Sequence, residues 1–338
     1  MFLSRSPRMA SSNLSNITTL SKWGESYPFR FIFLCYIEAM RINKLMTDLL
    51  VLWMSNDNKK RRRHVKPIIG PGFWYDVPCK ADQDDQHRFD LMLADPSKRL
   101  HRLFIDVHGG GYVFGNRKNN YTYATLFRDA GYDVCIADYD LVKDNITVEN
   151  QIHDVAAMLL YLHKHAADFD VANDDWFISG DSAGGHLALI LAEASCNPLT
   201  AARLDIDLTG VSFKGVLVNC TVFDYADCTG KAECTKAALR QVYGVHGSDH
   251  AWCELYSPKT YFSDLKVPVF YSSAKLDPLL PESQKLDQAL KGSSLPHVFC
   301  YIDSDDKKVT HVHNITTPSL PASKKVNAAM LAFMDQNA

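Results

Sequence analysis

The 338 residues carry 36 Lys and Arg against 39 Asp and Glu, a formal charge of −3, so no basic excess invites nucleic acid or an anionic membrane. Hydrophobic residues at 46% and charged residues at 22% fit a soluble globular chain long enough to bury a large core. Nine scattered cysteines, an odd number without a C-x-x-C pair, argue against a structural zinc and a closed disulfide framework, and for reduced thiols in a cytoplasmic setting.

Residues 1–70 read as an N-terminal helical segment followed by a basic linker. Apolar residues recur at three- and four-residue spacings from about 25 to 56. Phe29–Met40 is apolar, but it is too short to span a bilayer and is broken by Glu38. The opening MFLSRSPRMASS has no apolar run leading into a small-residue cleavage site, so no stable membrane insertion is expected. The basic run 59–63 lies within DNKKRRRHVKP and reads as a solvated linker. With no secretory signal, the N-x-S/T triplets at Asn13, Asn16, Asn120, Asn145, Asn219 and Asn314 read as chance.

From residue 71 short apolar strands alternate with helices. Strands are predicted at Phe89–Leu93, Leu103–Val107, Val134–Ala137, Trp176–Ser179, Gly215–Asn219, Val267–Ser272 and Val298–Ile302. Helices are predicted at Val148–His165, Ala183–Ala194, Glu282–Leu290 and Ser323–Asp335. This alternation predicts an α/β fold with a mostly parallel central sheet and helices on both faces.

Two glycine motifs carry the chemistry. The apolar strand DWFIS runs into Gly180-Asp181-Ser182-Ala183-Gly184-Gly185 and then into a helix, the context a G-x-S-x-G nucleophile elbow requires. The helix N-terminus would turn amides and partial positive charge toward an oxyanion. The plain alternative is a glycine-rich turn that only packs tightly. Upstream, His108-Gly109-Gly110-Gly111-Tyr112 follows the strand LFIDV, where amides unhindered by side chains can approach a substrate oxygen. A phosphate-cradling loop fits less well, because neither G-x-G-x-x-G nor a P-loop Lys-Ser/Thr is present.

In order and spacing, HGGGY followed by GDSAGG resembles the hormone-sensitive-lipase-like branch of α/β-hydrolase esterases, over roughly residues 85–338. The resemblance implies an oxyanion hole from the amides of Gly110, Gly111 and Ala183. It also implies that residues 1–70 supply part of a helical cap, with 71–338 the catalytic domain and a cap insertion around 225–262. Chain order places the acid and the base after Ser182. Asp277, in an Asp-Pro-Leu turn, matches the family's acid; a helix-capping aspartate is the bland reading. Asp303, Asp305 and Asp306 sit in or beside a polar turn and are weaker candidates. His311 matches the base, with His313 where the family shows an aromatic residue and as the alternative base. His186 departs from the family pattern and is expected on the helix surface or toward the cap, and His153, His163 and His165 are expected to be inert. Aromatic residues Tyr243, Trp252, Tyr256 and Tyr261 suggest a bulky pocket, although core packing explains them equally well.

The expected activity is a serine carboxylesterase that cleaves short-chain acyl esters of small molecules through an acyl-enzyme, with no cofactor and no metal. Two other readings stay open: an amidase or peptidase using the same triad, and a non-catalytic small-molecule receptor on the same fold. The sequence sets no oligomeric state and leaves a homodimer open.

Overall fold

In the computed structural model, the described residues are 68–338 except 83, 144–145 and 229–248, with isolated positions 48, 51, 52 and 55 before them. The expected cap segment 1–70 therefore lies almost wholly outside the described residues, as does the middle of the expected insertion at 225–262.

Eight strands form one sheet: β1 (Phe73–Pro78), β2 (Arg88–Met92), β3 (Leu103–Val107), β4 (Asp133–Ala137), β5 (Trp176–Asp181), β6 (Gly215–Asn219), β7 (Val269–Ala274) and β8 (His297–Ile302). Their order is β1-β2-β4-β3-β5-β6-β7-β8. The β1–β2 and β2–β4 pairs are antiparallel, and every other pair is parallel. The helices are α1 (Tyr121–Asp129), α2 (Val148–Lys164), α3 (Ala183–Cys196), α4 (Pro198–Arg203), α5 (His250–Leu255), α6 (Pro258–Tyr261), α7 (Leu280–Lys291), α8 (His313–Thr316) and α9 (Pro321–Asn337). This is the α/β-hydrolase architecture.

Alternation along the strands explains why both faces are covered. Leu103, Ile105, Val107, Ile178, Val216 and Val218 join one core with α2, α3 and α7. Their neighbours Phe104, Phe177 and Leu217 turn to the other face and meet α1 and α9. Successive side chains of a strand point to opposite faces, so strands buried on both sides read as continuous apolar runs. Helix α3 is buried along nearly its whole length, which matches the apolar LALILA on all its sides.

Strands β3 and β6 have the predicted bounds. Strand β7 begins at Val269 rather than Val267 because Pro268 has no N–H to offer a ladder. The sequence reading missed β1, an edge strand that ends in Pro78, where proline is tolerated. It also missed α1, whose Tyr, Thr and Phe residues form helix weakly. Because β3, β5, β6 and β7 run parallel, the loops after Val107, Asp181, Asn219 and Ala274 all leave the same edge of the sheet. That edge assembles the site.

Candidate active site

Ser182 sits on the sharp bend between β5 and α3, with φ 54° and ψ −117°. A positive φ in a non-glycine residue costs on the order of 1–3 kcal/mol and persists only where the surroundings impose it. Here the flanking glycines impose it. A β-carbon on Gly180 would lie 2.3 Å from the Gly184 carbonyl oxygen, and one on Gly184 only 2.0 Å from the Val107 carbonyl oxygen. The elbow thus presses against the end of β3, and Ser182 N–H donates to the Asn219 carbonyl at 2.8 Å.

The second motif is bound to the first through Asp181, whose Oδ1 accepts from Gly109 N–H at 2.9 Å and from Asn120 Nδ2 at 2.8 Å. Asn120 Nδ2 also reaches Asp106 Oδ2 at 2.9 Å. Burial, and then the Asp181 carboxylate beside it, push Asp106 far above the usual carboxylate range. Burial thus disfavours a second carboxylate charge beside Asp181. Gly110 has φ 136°, and a β-carbon there would lie 1.7 Å from the Phe114 carbonyl oxygen. The Gly110 and Gly111 amides donate to no described residue. The Ala183 amide, in the first turn of α3, has no partner within the helix. His108 is buried against Tyr139, ring centroids 4.3 Å apart, and the Tyr139 hydroxyl donates to the His108 carbonyl at 2.6 Å.

From the far side of the same sheet edge come Asp277 and His311. His311 Nδ1 lies 2.7 Å from Asp277 Oδ1, and its Nε2 lies 3.0 Å from Ser182 Oγ. Asp277 is further held by the Leu279 N–H on Oδ1 at 2.9 Å and by the Ser273 hydroxyl on Oδ2 at 2.8 Å. Burial opposes its charge, but the facing His311, the Cys220 thiol and the Leu279 N–H outweigh it and hold Asp277 at about 2. For His311 the balance is similar: burial works against the cation, and Asp277 overrides it, raising the imidazole above its ordinary value.

His313, the alternative base of the sequence, bonds to Ser323, whereas His311 faces Ser182. His313 is buried, its Nδ1 lies 2.9 Å from Ser323 Oγ, and burial lowers its pKa. The intervening Val312, at φ 47°, begins α8 and sends the two imidazoles to different surroundings. Asp303 and Asp305 face solvent beside Lys275.

His186, expected on the helix surface or toward the cap, is not at the surface: it is fully buried, where burial lowers its pKa to about 4, and it faces Tyr256 within the expected insertion at 225–262. Its Nδ1 lies 2.8 Å from the Tyr112 hydroxyl and its Nε2 lies 2.7 Å from the Tyr256 carbonyl. One turn of helix separates it from Ser182, and that spacing was the available signal. Tyr256 and Tyr261 are buried in the core, and Trp252 packs on Tyr256 at 4.8 Å; Tyr243 lies outside the described residues. A cavity of about 360 Å³ lined by Phe223, Asp224, Lys259, Phe262, Lys285, Gln288 and Ala289 includes no member of the Ser182–His311–Asp277 chain. Cys220, Asp277 and His311 offer atoms within 4.8 Å of one another that could share a metal ion, but the hydrogen bonds of Asp277 and His311 already account for their arrangement.

The fold is shared with esterase B from Lactobacillus rhamnosis, at TM-score 0.77 and 21% identity over 88% of this chain and 95% of that one. It is shared with a truncated carbohydrate esterase from gut microbiota, at TM-score 0.64 and 16% identity over 78% and 95%. A bacterial heroin esterase matches at TM-score 0.61 and 17% identity over 86% and 89%. The BD-FAE family model matches residues 89–290, a span that includes both glycine motifs and Asp277. The chain, built on the α/β-hydrolase fold, belongs to the BD-FAE family.

Proposed function

We propose that this protein is a serine carboxylesterase that cleaves short-chain acyl esters of small molecules. The observation that carries the reading is the unbroken hydrogen-bonded chain from Ser182 Oγ through His311 to Asp277. Ser182 attacks the ester carbonyl while His311 Nε2 takes its proton, and Asp277 fixes the Nδ1–H tautomer and stabilises the imidazolium. The amides of Gly110, Gly111 and Ala183 meet the developing oxyanion, and loss of one such donor typically costs about 2.7–4 kcal/mol of transition-state stabilisation. His311 then returns the proton to the leaving alcohol, and water activated by the same base releases the acid from the acyl-enzyme.

A short acyl chain fits the phosphonate of tributyrin bound by esterase B. Among the described residues no helix is long and apolar enough to cross a membrane. Residues 71–338 are the catalytic domain in this reading. The test is hydrolysis of p-nitrophenyl acetate and butyrate by Ser182→Ala. Turnover is expected to fall by several orders of magnitude, and turnover at the wild-type rate would refute the reading.

A further inference from the structure

A second cluster of ligating side chains lies away from Ser182, where the β1–β2 hairpin meets α2. His87 Nε2 lies 3.2 Å from Asp154 Oδ1 and 3.7 Å from Asp140 Oδ2. On the other side of the ring, His87 Nδ1 lies 2.7 Å from Asp82 Oδ2. The Asp82 carboxylate can only accept, so Nδ1 carries a proton toward it, and Nε2 on the other side of the ring faces two carboxylate oxygens. Two carboxylates converging beside one imidazole, all three ligand atoms within 4.8 Å of one another, repel each other unless a cation lies among them. Lys80 supplies one now: its ammonium rests on Asp154 Oδ1, 3.5 Å from His87 Nε2.

We propose that His87, Asp140 and Asp154 form a binding site for a divalent transition-metal ion of the zinc type, which displaces the Lys80 ammonium. Zinc bonds of about 2.0–2.2 Å to nitrogen and oxygen in tetrahedral geometry set their ligand atoms about 3.4 Å apart. The observed 3.2 and 3.7 Å bracket that spacing. One imidazole with two carboxylates suits zinc better than a hard ion such as calcium, which takes six or more oxygens. The outer contacts are also in place. Asp82 on Nδ1 is the carboxylate–histidine pairing that orients metal-bound imidazoles, and Asp154 Oδ2 accepts from Asp140 N–H at 2.9 Å. His87 and Asp154 are more than nine-tenths buried, whereas the Lys80 side chain is 28% exposed and can swing into solvent. A bound ion would fasten the hairpin to α2. From there Gln151 Nε2 bonds both the Asp140 and the Tyr112 carbonyls, at 2.6 and 2.8 Å, so the clasp reaches the loop that carries Gly110 and Gly111.

The test is equilibrium dialysis of the chelator-stripped full chain against Zn2+, with Ca2+ in a parallel arm, on wild type and variants; no arm depends on activity. Wild type is expected to retain one Zn2+ equivalent that His87→Gln and Asp140→Asn each bind at least ten-fold more weakly. Asp82→Asn should lose roughly ten- to a hundred-fold, as outer partners of metal-bound histidines typically do. Lys80→Met should bind more tightly than wild type, a gain that damage to folding does not mimic. Equal Zn2+ retention by wild type, His87→Gln and Asp140→Asn, or a preference for Ca2+, would overturn the proposal, as would failure of the wild type to retain the ion.

Discussion

Residues 108–111 and 180–185 meet by excluding side chains, whereas Asp277 and His311 reach Ser182 through hydrogen bonds. At the first meeting point backbone lies against backbone: a β-carbon on Gly184 would come 2.4 Å from the His108 carbonyl oxygen, and one on Gly109 2.6 Å from the Asp181 carbonyl oxygen. At the second, a carboxylate with three well-placed donors orients an imidazole. Steric exclusion leaves a mark in the sequence because glycine alone satisfies it. A hydrogen-bonded arm leaves a weaker one, since several acids and two histidines lay within reach of the same positions.

The hydrogen-bonded arm should show the largest effects on rate. His311→Ala is expected to lower kcat by several orders of magnitude. His313→Ala should keep kcat within a few-fold while losing about 1 kcal/mol of stability, because it removes the imidazole bond to buried Ser323, whose hydroxyl keeps its bond to the residue-313 carbonyl. A deep kcat loss in His313→Ala would reverse the assignment. Asp277→Asn should cost about 10⁴ in kcat through the wrong imidazole tautomer. The pH profile sharpens this prediction. Only neutral His311 accepts the Ser182 proton, so kcat/KM should rise with pH through the raised pKa of the imidazole, above its ordinary 6.5. Asp277→Asn removes the charge that raises it, so the acid limb should move to lower pH.

The glycine side of the comparison breaks through folding. Gly110→Ala meets both a backbone clash and a φ of 136°, and little soluble, active protein is expected from expression trials. Gly111 has φ 59° but open space around it. Gly111→Ala should therefore fold, with a stability loss of about 1–2 kcal/mol in denaturant titration. If the two variants behaved alike, steric exclusion would not explain the motif.

The smallest effect concerns the helix behind the nucleophile. Glu193 on α3 is fully buried, and neither carboxyl oxygen has a hydrogen-bond partner among the described residues. Burial, then Asp264, raise it well above its ordinary value of 4.5. An acid whose folded pKa is raised contributes full stability below its unfolded pKa and loses it as pH climbs toward the folded value. Wild type should therefore lose stability from about pH 4.5 upward, and Glu193→Gln should flatten that decline in denaturant titrations at pH 4.5 and 7.5.

Much of this was legible in the sequence. The strands β3, β5 and β6 announced themselves as apolar runs, because a strand buried on both faces has no polar positions to spare. The two glycine motifs placed Ser182 and the Gly109–Gly111 loop on the parallel edge. What sequence could not give was the three-dimensional partner of each polar group. Asn120 bridging Asp106 and Asp181, and His186 joining Tyr112 to Tyr256, each unite residues far apart in the chain or turned inward by a helix. His311 and His313 differ by two positions and by a single left-handed residue between them, which local pattern does not reveal.

Covalent labelling with a fluorophosphonate, followed by mass-spectrometric mapping of the adduct, tests most directly whether Ser182 is the activated nucleophile. A single adduct on Ser182, lost in Ser182→Ala and sharply slowed in His311→Ala, is the predicted result. An unlabelled wild-type protein, or an adduct that maps elsewhere and persists in Ser182→Ala, would contradict it.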